Sequence, residues 1–271
     1  MSICSPPNWH YAHVLASAQA GKHRIVEKPV ALSCGALERT TTAIREAGVR
    51  TGVSVVLRWL AGIQRAYAAR ATVGRIFHVQ ADFWNGQHHP KPQSRREIGT
   101  VRGSISTLVS SGGPAVDMAC WCAGARVTAV QALCPEDQAH TVQRTSTLLL
   151  QCENGSTGIV TSTDAVFRPL ACRLCVNGTE GGLDVALDDE RVRAVSRRGA
   201  ERYETIASLS AAAARPVAGL PFTAMIGEFL VALRRGRDTA VNFEYAAHIH
   251  RVCLAAEASA RQPGAALPIL A

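Results

Sequence analysis

Over residues 1–58, short apolar runs alternate with longer mixed stretches, the rhythm of a parallel sheet with crossover helices. The pattern predicts a helix from about His10 to Gly21, then an apolar strand from His23 to Val26. Ser33 is placed to cap a second helix ending at Gly48, and Gly52 to Val56 reads as another buried strand. Past Arg58 the rhythm changes. Ile76 to Trp84 alternates strictly, with Phe77, Val79, Ala81 and Phe83 on one face and His78, Gln80 and Asp82 on the other. That predicts a half-exposed antiparallel strand. Further strands are expected at 127–133, 147–151, 158–163 and 171–177, with Asn154-Gly155 as a two-residue hairpin signal. Two helices follow. Pro221 suits a first helical position, and Phe222, Met225, Ile226, Phe229, Leu230 and Leu233 form one apolar stripe, expected to be core, that ends at Gly236. The last helix is expected from about Phe243 to Arg261, and Ser210 with Ala211 to Ala214 forms a low-complexity loop. No internal repeat is visible. The change of rhythm divides the chain into residues 1–58 and 59–271.

At 271 residues, 47% hydrophobic and 18% charged, the chain is long and apolar enough for two domains with their own cores, and a disordered protein is excluded. No apolar run approaches the length of a membrane span, and the first residues lack the basic and apolar regions of a secretory signal, so a cytoplasmic location is expected. The nine cysteines are scattered and odd in number, which suits small core residues in a reducing compartment. A net charge of +8 invites a nucleic-acid reading. However, the one local excess, Arg191, Arg193, Arg197, Arg198 and Arg202, is interleaved with Asp188, Asp189, Glu190, Glu201 and Glu204, as on a solvated hairpin. With aromatic residues at 5%, a base-stacking surface is not expected either.

The most informative run is Glu27-Lys28-Pro29, which puts a lysine at the carboxyl end of a strand, where open α/β sheets bind ligands. Around it stand Ser5-Pro6-Pro7, His10, Ala20-Gly21-Lys22-His23, Gly48 and Arg58-Trp59. This set resembles the Gfo/Idh/MocA family of nicotinamide-dependent sugar and polyol dehydrogenases. The resemblance covers nearly the whole chain, strongest over residues 3–59 and clear again at 103–130. It implies an α/β fold: a Rossmann-type parallel sheet, incomplete here, followed by an α+β domain with a large, mainly antiparallel open sheet. Such a protein would open with a strand, a G-x-G-x-x-G turn and an acidic residue about twenty positions on. Here Ser2-Ile3-Cys4 reads as the end of a later strand, so one mononucleotide-binding half is expected to be missing, and Gly112-Gly113 and Gly181-Gly182 lack the spacing to replace it.

The resemblance places Lys28 on the substrate hydroxyl, with Arg58 close by and Asp117 either the second catalytic and substrate-facing group or, equally, a structural cap or hydrogen-bond partner. Ser5, Pro6, Pro7 and His10 would line the nicotinamide side of NAD or NADP, with Glu27, Lys28 and Pro29 forming the strand-end turn. The family's remaining constellation is a helix reading D-x-x-x-H-x-x-D, whose spacings put three side chains on one helical face. The matching segment, Ser110 to Asp117, carries Ser110 and Pro114 in place of the first aspartate and the histidine. Neither can act as a general base, a loss that typically costs about 10²- to 10⁴-fold in rate. Cys172 and Cys175 have metal-like spacing, but three apart in a strand they point to opposite faces. His88-His89 lies in a polar loop, more in keeping with surface than with a ligand pair, and no metal is expected.

Two readings follow. One is an oxidoreductase acting on a sugar, inositol or related hydroxy compound, NAD(P)-linked and impaired as written. The other is a non-catalytic relative whose open sheet associates with itself or with an intact family member, a homo-oligomer in the simplest form.

Overall fold

A computed structural model describes residues 1–84, 106, 108–135, 144–164, 171–186, 191–205, 222–262 and 264–269. His88-His89, Ser210–Ala214, Pro221 and the acidic run 188–190 lie outside these residues.

The first region is a three-stranded parallel sheet of β1 (Ser2–Ile3), β2 (Arg24–Val26) and β3 (Thr51–Val53), in that spatial order. Helix α1 (Pro7–Gln19) joins the first two strands and α2 (Cys34–Glu46) the second two. The first helix starts three residues earlier than its apolar rhythm suggested, because Pro7 occupies an opening position where a missing N–H costs nothing. Ser33 caps α2 as expected, its hydroxyl accepting from the Ala36 N–H at 3.3 Å. Gly21 and Gly48 take left-handed φ values of 63° and 60°, the turn that lets each helix feed its next strand.

A 3₁₀ turn (Val56–Trp59) and α3 (Ala61–Ala69) lead into β4 (Ile76–Trp84). A π-helical turn at Leu108–Gly112 then opens α4 (Gly113–Ala123). The remaining strands are β5 (Val127–Leu133), β6 (Thr145–Cys152), β7 (Thr157–Thr163), β8 (Ala171–Gly178), β9 (Gly181–Ala186), β10 (Arg191–Ser196), β11 (Glu201–Thr205) and β12 (Leu267–Pro268). Between the last two come α5 (Phe222–Arg234) and α6 (Phe243–Ala260). The second sheet runs β11-β10-β9-β8-β4-β7-β6-β5-β12. Asn154-Gly155 lies in the β6–β7 turn, with Gly155 at φ 80°, but the connection spans residues 153–156 and is longer than the two-residue hairpin expected.

Two expectations are corrected by packing. Strand β4 is central, parallel to β7 and antiparallel to β8, and Asp82, expected on the exposed face, is buried between Thr161 and Arg173 of its neighbours. The apolar stripe of α5 also divides. Met225 and Phe229 are buried, whereas Phe222, Ile226 and Leu230 are exposed, because only one flank of the helix meets the first sheet. Phe229 lies so close to Gly52 that a Cβ there would stand 2.9 Å from its ring.

Two apolar cores result. The larger fills the space between the inner face of the nine-stranded sheet and α3, α4 and α6. The smaller joins Ile3, Val26 and Val53 of the first sheet with Val14 and Leu37 of its helices. Val241, Phe243, Ala246 and Ala247 complete that smaller core, while Ile249, Val252, Cys253 and Ala256 of the same α6 belong to the larger. Among the described residues, no helix is long and apolar enough to cross a membrane.

Candidate functional site

The loop after β2 carries Glu27, Lys28 and Pro29 to the carboxyl edge of the parallel sheet, beside the loop after β1 that carries Ser5, Pro6 and Pro7. One residue ties the two together. His10 is fully buried, and its Nδ1 and Nε2 lie 2.7 Å and 2.8 Å from the carbonyl oxygens of Pro29 and Ser5. Glu27 is held from the other side, where the Ser54 hydroxyl after β3 donates to its Oε1 at 2.7 Å. Three consecutive strand ends therefore fix the backbone on which Lys28, half-buried, is displayed. The sequence reading set Ser5, Pro6, Pro7 and His10 together against the cofactor. The structure gathers them at one rim but buries Pro7 and His10 and leaves Ser5 half-buried and Pro6 exposed.

Arg58 and Asp117 are brought together, though on each other. The Arg58 guanidinium grips the Asp117 carboxylate with Nε to Oδ2 at 2.8 Å and Nη2 to Oδ1 at 2.5 Å, and their side chains are 4% and 0% exposed. Burial alone would pull the arginine's pKa down, but the carboxylate outweighs it and holds the guanidinium charged. The centroid of the Trp121 ring lies 4.8 Å from the guanidinium carbon and that of Tyr245 4.5 Å, within reach of cation–π attraction. Tyr67 stacks on Trp121 with ring centroids 3.9 Å apart. Burial and then Asp117 push the Tyr245 hydroxyl well above its usual range. Arg58 and Asp117, expected near a substrate, here satisfy each other, out of reach of solvent.

The expected single helical face also changes. Ser110 belongs to the π turn and Pro114 and Asp117 to α4, so a regular helical spacing does not link the three. Pro114 is buried in the opening turn of α4, where its missing N–H is tolerated. Cys172 is buried and Cys175 half-buried, on opposite faces of β8. No group of three or more His, Cys, Asp or Glu among the described residues is set to hold a metal ion.

Residues 1–55 match the oxidoreductase family with an NAD-binding Rossmann fold, and residues 63–184 match the GFO/IDH/MocA C-terminal domain. The chain belongs to the Gfo/Idh/MocA oxidoreductase family. Its fold is that of solved members at low identity. An oxidoreductase domain protein from Kribbella flavida is 22% identical with a TM-score of 0.84, over 100% of this chain and 80% of that one. A levoglucosan dehydrogenase in complex with NADH and levoglucosan is 20% identical with a TM-score of 0.84, over 99% and 79%. An aldose-aldose oxidoreductase from Caulobacter crescentus, complexed with glycerol, is 21% identical with a TM-score of 0.80, over 98% and 78%. At these identities the likeness establishes the fold. No curated protein matches the sequence.

Within the Gfo/Idh/MocA frame, sequence reasoning missed Ser54, which pins Glu27, and the contacts of Trp121 and Tyr245 with Arg58. Neither carries a motif: Ser54 works through its place at a third strand end, and Tyr245 lies 187 positions beyond Arg58. The stack of Trp9 on His13, four positions apart on α1, was missed as well, since the helix was expected to start only at His10.

Proposed function

We propose that the chain is an NAD(P)-linked oxidoreductase of a sugar, inositol or related hydroxy compound, weak in turnover. What carries this reading is Lys28 on a strand-end loop pinned by His10 and by Glu27–Ser54. The groups at that rim suit a dinucleotide in kind. They are the Ser5 hydroxyl, the Lys28 ammonium and the opening N–H groups of α1, which has no capping side chain and no acid in its first turn. Bound there, a nicotinamide would supply the hydride-accepting ring. Lys28 would hold the substrate hydroxyl, and Glu27 and Pro29 would fix the angle from which it does so. Weak turnover follows from Ser110 and Pro114, which leave no general base at those positions, and from Asp117, whose carboxylate is committed to Arg58. A reducing, cytoplasmic setting suits nine cysteines without a disulfide framework. The levoglucosan and aldose chemistry of the two relatives supports sugars as the first substrates to try.

The test is calorimetric titration with NAD⁺, NADH, NADP⁺ and NADPH, followed by turnover assays on a panel of sugars and polyols. Micromolar binding, about 8 kcal/mol, with turnover lost in Lys28→Ala supports the reading; no binding by the folded chain defeats it.

A second reading has its own observation. The face of the large sheet away from the helices carries Leu149, exposed, with Gln131 and Ile159 opposite it, and Leu133 and Tyr203 exposed on the same side. A surface of this kind favours association of two copies through the sheet, with or without catalysis.

A further inference from the structure

Trp9 stands in the first turn of α1, next to His10, and its side chain is 55% exposed. An indole is the largest apolar body a chain can bury, so leaving it in water forfeits a sizeable gain unless something else covers it. This indole is held in place. His13, four residues on and on the same helical face, stacks against it with ring centroids 6.1 Å apart and planes 15° from parallel. The imidazole is itself fixed, its Nδ1 lying 2.9 Å from the Ser5 hydroxyl oxygen. Ser5 in turn belongs to the loop that His10 locks to the Pro29 carbonyl, so the plate is braced to the backbone displaying Lys28.

The two flanks of α1 differ. On one, Tyr11 closes on α2 through Arg39, whose Nε donates to the tyrosine hydroxyl at 2.8 Å. On the other, Trp9 has no ring partner beyond His13 among the described residues. Its exposed neighbours Asn8, Ala12 and Ala16 are small or polar. The apolar area on offer is therefore that of one ring, well short of what a protein interface needs.

We propose that Trp9, backed by His13, is a stacking plate for a planar ring of the dinucleotide, nicotinamide or adenine. The inference rests on the dinucleotide reading above and adds the residue that grips the ring. Its position, at the carboxyl edge of a parallel sheet, is where such ligands lie in α/β folds. Stacking needs no hydrogen-bond pattern, so either ring could use the plate.

The experiment uses the full chain and two variants, Trp9→Ala and Trp9→Phe, titrated with NADH by calorimetry and by quenching of indole emission, with circular dichroism as the check on folding. Trp9→Ala is expected to weaken NADH about 5- to 150-fold, while Trp9→Phe, which keeps a ring, stays within about threefold of the parent. Reduced nicotinamide mononucleotide and ADP-ribose, titrated separately, show which ring is held, since the fragment bearing it loses affinity in Trp9→Ala. If the parent binds NADH and Trp9→Ala binds it equally, the plate is wrong and the dinucleotide reading stands. Equal losses in both folded variants also overturn stacking, in favour of a packing role. If the parent binds none of the four cofactors, both inferences fall.

Discussion

At the scale of single residues, the buried ion pair sets the sharpest expectation. Removing one partner of a closed pair leaves an uncompensated charge, so Arg58→Ala or Asp117→Asn should cost about 3–5 kcal/mol in urea unfolding. Exchanging both, as in Arg58→Met with Asp117→Leu, should recover most of that loss. Two histidines of α6 give a pH dependence. Burial lowers His250 to about 4, against a weaker opposing pull from the Ala31 backbone, and burial with Arg126 and Arg251 lowers His248 to about 4. Both are neutral in the folded chain and charge in the unfolded one below about pH 6.5. The unfolded state then binds more protons, so stability is full above pH 6.5 and falls as pH drops toward 4. His250→Gln should flatten part of that slope in denaturant midpoints measured at pH 7 and pH 5. The gathering of the Ser5 and Lys28 loops at one strand-end rim was legible in sequence, since Lys28 and Pro29 follow a strand and His10 stands at a fixed offset from Ser5. Their division of labour was not, because whether an imidazole faces a ligand or two carbonyls is decided by loops brought together in space.

At the scale of elements, α5 tests how an apolar stripe is apportioned. Phe229→Ala should cost about 3–5 kcal/mol, whereas Leu230→Lys, one position on and exposed, should stay within about 0.5 kcal/mol; thermal melts of the two separate them. Gly52→Ala should destabilise even though its backbone tolerates a side chain, because the added Cβ meets the Phe229 ring. Boundaries were read well where one face is wet. Strand β5 was placed at Val127–Leu133, as observed. Periodicity failed where neighbours, and not the strand's own sequence, decide burial: Asp82 alternates like an exposed residue yet lies between two inner strands. The π turn before α4 was equally invisible, since an extra residue in one turn leaves no compositional mark.

At the scale of the whole molecule, the outer face of the nine-stranded sheet makes the oligomer question specific. If two copies meet there, Leu149→Glu should convert a dimer to a monomer in sedimentation velocity while leaving the melting temperature of the isolated chain nearly unchanged. Helix α6 belongs to both cores, a sharing that no local pattern announces. That helix carries a consequence for synthesis. Chains generally complete their early domains as they emerge from the ribosome, yet the first sheet needs Val241, Phe243, Ala246 and Ala247 to close its core. Strands made early must therefore wait for residues translated long afterwards, and until then the nascent N-terminal region is exposed to chaperones and proteases as an unfinished half-core.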